Sequence, residues 1–341
     1  MSSLIFWQNL ASLYTTVSQW EYIRSCVMHL LLLNRAQVDA LLDQDQLIEG
    51  LIQGFKALSA GQVEAPGRTQ VSSGQGYLLS MPAGMSGKAM GVKLVSVFHG
   101  NHQLGLPGHQ ALVTLFDAEN GRPLALLDGT HITALRTAAA SALASRLLMR
   151  TDARILTIIG AGVQGQAHLR MLSHAHDFNE IRIASYHPAD AEKLASANSR
   201  ARAFGTFSEA VDGADVVCLC TSSATPVVQV GWLKPGCHVN SVGYAPPGGE
   251  LPRDLVLSSR LVVETRMAFT APPVGCAELS GLDAGLACEL GEILAGKCPG
   301  RRDDAEITVY KAMGHAMEDL VAANIVYQNA RARGVGQIVE L

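Results

Sequence analysis

The chain has 341 residues, 48% of them hydrophobic and 16% charged, with a formal net charge of −4. That length suffices for two ordinary domains with a sizeable core, and the modest charge excludes a disordered or fibrous chain. The weakly acidic balance gives no electrostatic basis for binding nucleic acid or an anionic membrane, and no apolar run reaches the roughly 18 residues of a membrane span.

Residues 1–27 carry neither a basic leader nor a small-residue cleavage signal, and they read as an extension ahead of a more natural opening at Met28. From there "HLLLL" is a strand, Asn34-Arg35 a turn, and "AQVDALLDQDQLIEGLIQGFKAL" one helix by its apolar spacing. Thr69 to Leu127 alternates short apolar runs with glycines, "ENGRP" having hairpin composition, and predicts an antiparallel or mixed sheet. Lys93 in "AMGVKLVSV" reads, from pattern alone, as an edge-strand lysine that discourages sheet association. His99, His102 and His109 in "FHGNHQLGLPGH" are separated by glycines and a proline, which favours a loop over a metal site. "HITALRTAAASALASRLLM" is a helix with Thr133 as N-cap, and its alanines let a partner backbone approach closely. Arg136 then falls in a first turn, where a cation opposes the helix dipole unless an anion sits beside it.

Beyond Arg150 the register changes. "ARILTIIG", "EIRIASY", "DVVCLCTS", "HVNSVG" and "RLVVET" are buried-type strands spaced by helical stretches, which predicts a Rossmann-type, doubly wound parallel sheet over residues 150–305. "VYKAMGHAMEDLVAANIVYQNARARG" reads as a final long helix, and His315 and Glu318 on it as a pair at the pocket border or on the helix surface. The 7 cysteines show no C-x-x-C spacing and read as free thiols in a reducing cytoplasm. Cys218 and Cys220 fit core-facing positions of one strand.

"GAGVQG" follows a strand and opens a helix, the context that a dinucleotide fingerprint requires. Gly160 permits the tight turn, Gly162 removes a Cβ that would strike a pyrophosphate, and Gly165 allows close helix–sheet packing. Ala161, Val163 and Gln164 lie between them and bring backbone N–H groups to the anion. The end of the second strand, where an acid would bind the ribose diol of NAD, reads Ser185, Tyr186, His187, with no acid before Asp190. The missing repulsion leaves room for a 2′-phosphate, so NADPH is the expected cofactor, with NADH possible.

The helix around Arg136, then "IIGAGVQGQAHL", "VNSVGYAPPGGEL" and "YKAMGHAMEDLVAA", in this order and spacing, resembles the ornithine cyclodeaminase/mu-crystallin family. The resemblance covers Met28 to the C-terminus. It implies an α/β protein in which residues 28–149 and 306–341 form an α+β substrate-binding and dimerisation domain beside the Rossmann domain, in a homodimer. It also implies that Arg68 and Arg136 grip a substrate carboxylate and that Lys93 lies beside the reacting nitrogen. Arg136, Thr137, Thr221, Val242, Gly243, Met313 and Gly314 match positions around the nicotinamide and its ribose. Two guanidiniums suit a planar carboxylate, and a lysine among cations would have its pKa lowered toward neutrality.

The chain departs from the cyclodeaminases where these carry a catalytic aspartate: Ala245 and Pro246 stand there, and Glu250 lies too far along, reading as a cap for the next element. A pocket of cations with no carboxylate on hand lacks the proton acceptor for ammonia loss. The remaining expectation is hydride transfer to a cyclic imine beside a carboxylate, with Δ1-pyrroline-2-carboxylate reduced to L-proline. An alanine or amino-acid dehydrogenase, or a non-catalytic small-ligand binder of the mu-crystallin kind, is the alternative.

Overall fold

The structure, a computed structural model, describes residues 28–340; the extension at residues 1–27 lies outside them. Two eight-stranded sheets carry the fold. The first layer opens with β1 (His29–Leu33), α1 (Arg35–Leu41) and α2 (Gln44–Ser59). The single helix expected here is two, because the Asp43 side chain accepts from Gln46 N at 2.9 Å and caps a fresh start. Then come β2 (Val63–Glu64), β3 (Thr69–Ser72), β4 (Tyr77–Met85), β5 (Ala89–Val97), β6 (His109–Phe116), β7 (Pro123–Asp128) and α3 (Gly129–Leu148). Strands β4 to β7 form an antiparallel meander, and β1 joins β7 in parallel.

Lys93 does not occupy an edge. Strand β5 is paired on both sides, by β4 and β6, and Gly91, Lys93, Val95 and Val97 share its buried face. The lysine thus stands where period-2 alternation calls for an apolar residue. Helix α3 also starts earlier than expected. Asp128 is its N-cap, with Oδ1 accepting from His131 N at 2.8 Å, while Thr133 lies inside the helix and donates to Gly129 O. Arg136 is therefore two turns in, and the helix dipole gives no reason for an anion beside it. The alanines of α3 are buried all round because the helix is wedged between the two layers, touching α2 and β6 on one side and the second sheet on the other.

The second layer contains β8 (Ile155–Ile159), α4 (Val163–Ala175), β9 (Glu180–Ala184), α5 (Pro188–Ala195), β10 (Ala201–Ala203), α6 (Phe207–Val211), β11 (Val216–Leu219), β12 (His238–Ser241), α7 (Arg253–Ser258), β13 (Arg260–Val263), β14 (Ala287–Glu289), α8 (Leu290–Leu294) and β15 (Thr308–Lys311). All its pairings are parallel, in the order β10-β9-β8-β11-β12-β15-β13-β14. The chain winds outward in opposite directions from β8, which makes the carboxyl end of β8 the switch point where open α/β sheets bind ligands.

The last segment differs from the single long helix expected. Residues 308–311 are a strand of the second sheet, so the return to the first layer comes after Lys311 rather than at residue 306. Gly314, at φ 76°, turns the chain, and α9 (Ala316–Arg333) begins after His315. Helix α9 crosses the buried face of the first sheet, and β16 (Gln337–Glu340) closes the chain against β1. Among the cysteines expected as free thiols, Cys288 and Cys298 instead pair as a disulfide, with Cα atoms 6.4 Å apart, because the short helix α8 folds its two flanks together. Cys218, Cys220, Cys237 and Cys276 are free and buried.

Candidate active site

Each fingerprint glycine does a separate steric job. A Cβ on Gly160, whose φ is 104°, would stand 2.5 Å from Cys220 O, so the turn can pass the neighbouring strand only without a side chain. A Cβ on Gly165 would lie 2.0 Å from Gly160 O, which is what lets α4 pack on its own turn. Gly162 faces open space, and as the N-cap of α4 it makes no side-chain cap bond. Free helix N–H groups and room for an anion fit a dinucleotide pyrophosphate. Gly165→Ala should therefore abolish measurable binding of a reduced nicotinamide dinucleotide in a fluorescence titration while the first layer stays folded.

In front of this turn a cleft of about 370 Å³ opens between the layers. Arg68, Lys93, Arg136 and Thr137 line it from one side, and Gly162, Val163, Gln164, Thr221, Val242, Gly243, Met313 and Gly314 from the other. Gly160, Ala161 and Gly165 form the turn behind it. Ser185, Tyr186 and His187 come after β9 outside the cleft, where Tyr186 is 87% exposed and His187 precedes α5 without a side-chain cap bond.

The three expected cations do converge, but not without carboxylates. Lys93 Nζ lies 2.7 Å from Asp319 Oδ2, and both side chains are buried. Arg136 donates from Nε to Asp319 Oδ1 at 3.0 Å and from Nη1 to Glu318 Oε2 at 3.1 Å. Arg68 Nη2 donates to the carbonyls of Met313 and Gly314, with its guanidinium 6.0 Å from the Tyr244 ring centroid. Glu264, just past β13, accepts from Met313 N at 2.9 Å and Gly314 N at 3.0 Å, and so fixes the turn that leads into α9. A Cβ on Gly314 would stand 2.5 Å from Arg136 Nη2, so only glycine admits the guanidinium here.

These contacts set the protonation states. Burial pulls the Lys93 ammonium down to about 8, against the opposing pull of Asp319 and with help from Arg136. Burial also works against the charge of Arg136, but Asp319, Glu318 and Glu264 outweigh it and raise its pKa. His315 and Glu318 are no helix-surface pair: His315 is the N-cap of α9, and the buried Glu318 accepts from His315 N at 2.8 Å.

Glu250 is likewise more than a cap. Its buried carboxylate accepts from Thr221 N and Oγ1 at 2.8 and 2.7 Å through one oxygen, and from Ser241 Oγ, Val242 N and Gly243 N through the other. It ties the ends of β11 and β12 together beneath the cleft floor, and no strand pattern in its own segment could announce that.

The sequence profile of the ornithine cyclodeaminase/mu-crystallin family matches residues 28–334. The chain belongs to that family. Its parallel, doubly wound second sheet with the glycine turn after β8 is a dinucleotide-binding fold of the NAD(P) type. It is 38% identical over 287 residues to the ketimine reductase mu-crystallin of Mus musculus, spanning 83% of this chain and 90% of that protein. It is 30% identical to an alanine dehydrogenase of Archaeoglobus fulgidus over 319 residues, 92% of this chain and 99% of that one. Among solved structures, the Δ1-pyrroline-2-carboxylate reductase of Thermococcus litoralis, in complex with NADH and L-proline, superposes with a TM-score of 0.86 at 34% identity, covering 91% of this chain and 100% of that one.

Sequence reasoning missed Asp319 and Glu264, and placed Glu318 only as one of a pair at the pocket border or on the helix surface. In this family member the one signal was two adjacent acids in "HAMED" at the start of a helix whose other residues are largely apolar. A buried acid pair needs partners, and the unpartnered phase of Lys93 on β5 was the matching clue.

Proposed function

We propose that this protein reduces a small cyclic imino acid, Δ1-pyrroline-2-carboxylate to L-proline, using NADPH in preference to NADH, as a cytoplasmic homodimer. The observation that carries the reading is Lys93: a buried ammonium titrating at about 8, held by Asp319 in a cleft that Arg68 and Arg136 also line. Arg68 and Arg136 bind and orient the substrate carboxylate through guanidinium forks. Lys93 holds a proton at the imine nitrogen, which makes C2 more electrophilic. The apolar wall of Met81, Val95 and Val97 excludes water from the ring face. When bound, the reduced nicotinamide supplies the hydride for C2.

The Thermococcus litoralis complex with L-proline and the mouse ketimine reductase support this substrate class. NADPH is favoured because the end of β9 offers Ser185 and His187 and no acid before Asp190. The homodimer reading draws on the outer face of the first sheet, where Leu78, Leu94 and Leu112 are 45%, 39% and 49% exposed on adjacent strands, an apolar row that suits a partner surface.

The test is a purified-protein assay in which Δ1-pyrroline-2-carboxylate is offered with NADPH and with NADH. Turnover to L-proline is expected, with the higher kcat/KM for NADPH. Consumption of pyruvate and ammonia with no turnover of the cyclic imine would overturn the substrate in favour of an alanine dehydrogenase.

A further inference from the structure

We propose that Cys288 and Cys298 form a reversible thiol–disulfide exchange site that takes small-molecule disulfides as co-reactant and is activated by the guanidinium of Arg260. Neither cysteine lines the cleft, so the site stands apart from the chemistry proposed above.

Cys288 lies on β14, the edge strand of the second sheet, and Cys298 on the loop that follows α8. Their Cα atoms, 6.4 Å apart, are within the span a disulfide bridges, so the bond closes without backbone movement. Cys288 is 6% exposed, whereas Cys298 is partly exposed and open to a small reagent. Arg260, the first residue of the neighbouring β13, donates from Nη2 to Cys288 Sγ at 2.9 Å, to Cys298 Sγ at 3.0 Å and to Pro299 O at 2.8 Å. Its buried Nε has no protein partner, so the guanidinium is committed to the sulfur side. A disulfide sulfur is a weak acceptor. A guanidinium aimed at two sulfurs is matched instead to the thiolate, the form that attacks a disulfide.

The surrounding charges speak against a metal site. Cys288, Glu292 and Cys298 each bring one ligand atom within 4.8 Å of the others. Both oxygens of Glu292 are taken by the Arg266 guanidinium, at 2.8 and 2.9 Å, and Arg260 already sits against both sulfurs. Two fixed guanidiniums repel an entering cation. Glu289, the other acid on this side of α8, is turned to Ser59 Oγ and the Arg266 N–H.

The remaining described cysteines are poor competitors. All four are buried, and burial pushes the Cys218 and Cys237 thiols up to about 12, Cys276 to about 11 and Cys220 well above the ordinary thiol range.

The exchange runs in two displacements. The Cys298 thiolate attacks a disulfide R–S–S–R, forming a Cys298–S–S–R bond and releasing one RS−. The Cys288 thiolate then attacks the Cys298 sulfur, forming the internal bond and releasing the second RS−. Two protein thiols are oxidised, one small disulfide is reduced to two thiols, and the two protons shed by the cysteines end on the leaving thiolates.

The experiment reduces the wild-type protein, removes the reductant, adds oxidised glutathione and maps each cysteine by mass spectrometry. The expected product is an internal Cys288–Cys298 disulfide that reduced glutathione reverses, with Cys218, Cys220, Cys237 and Cys276 recovered as thiols. Cys288→Ser should stop at a mixed disulfide on Cys298. Arg260→Met should slow the reaction severalfold or more, and Arg260→Lys should recover part of that rate. The exchange site is overturned if no internal disulfide forms, if wild type stops at the mixed disulfide, or if the four buried cysteines react as fast as the pair. An unchanged rate in Arg260→Met overturns the role of the guanidinium. One equivalent of zinc retained by the reduced protein and lost in Cys298→Ser overturns the proposal in favour of a metal site.

Discussion

Replacing Lys93 with methionine should lower kcat for imine reduction by about two to four orders of magnitude, the usual contribution of a positioned proton donor. NADPH affinity should stay close to that of wild type, because the fingerprint turn belongs to the other layer. Methionine keeps the packing volume on the buried face of β5 but has no proton to give. The same lysine sets a pH limb. It is the acid form that acts, and that form is lost as pH rises through about 8, so wild-type kcat/KM falls on the alkaline side. Stopped-flow single turnovers across pH would read both effects. A non-catalytic ligand binder would give a wild type with no turnover to lose, and Lys93→Met would then leave ligand affinity nearly unchanged.

Arg136→Met should produce the largest loss of stability among the cleft residues. The guanidinium is buried and bonded to Asp319 and Glu318, and neither acid has water to turn to. Removing one partner of a buried ion pair typically costs about 3–5 kcal/mol, because the other charge is left uncompensated. The KM for the imino acid should rise as well, since one of the two carboxylate forks is gone. Denaturant melts of wild type and variant measure the first effect and initial rates the second. A loss of stability under about 1 kcal/mol would mean that Asp319 and Glu318 find other partners once the guanidinium is gone.

What was legible in the sequence was what local spacing dictates. The glycine turn was readable because its three constraints fall within six residues and act through the backbone: a positive φ at Gly160, open space at Gly162 and a close approach at Gly165. The parallel strands were readable as short apolar runs, although Thr308–Lys311 was lost inside a helix-like pattern because its lysine and tyrosine also suit helical spacing. Arg68, Lys93 and Arg136 were brought together by family resemblance, and periodicity alone misplaced Lys93 at an edge. Glu264 and Asp319 were illegible, because they are 55 residues apart in number and act on the same Arg136 only through the turn that leads into α9. Glu250 escaped for the same reason: the five hydrogen bonds its carboxylate accepts all come from residues at the ends of other strands.

That these cations hold an anionic imine against the dinucleotide is tested most directly by a crystal structure of the protein with NADP+ and pyrrole-2-carboxylate. The expected result has the ligand carboxylate between Arg68 and Arg136, the ring nitrogen within hydrogen-bond reach of Lys93 Nζ, and the pyrophosphate over Gly162. A ligand whose carboxylate lies away from both guanidiniums, with Lys93 still paired only to Asp319, would contradict it.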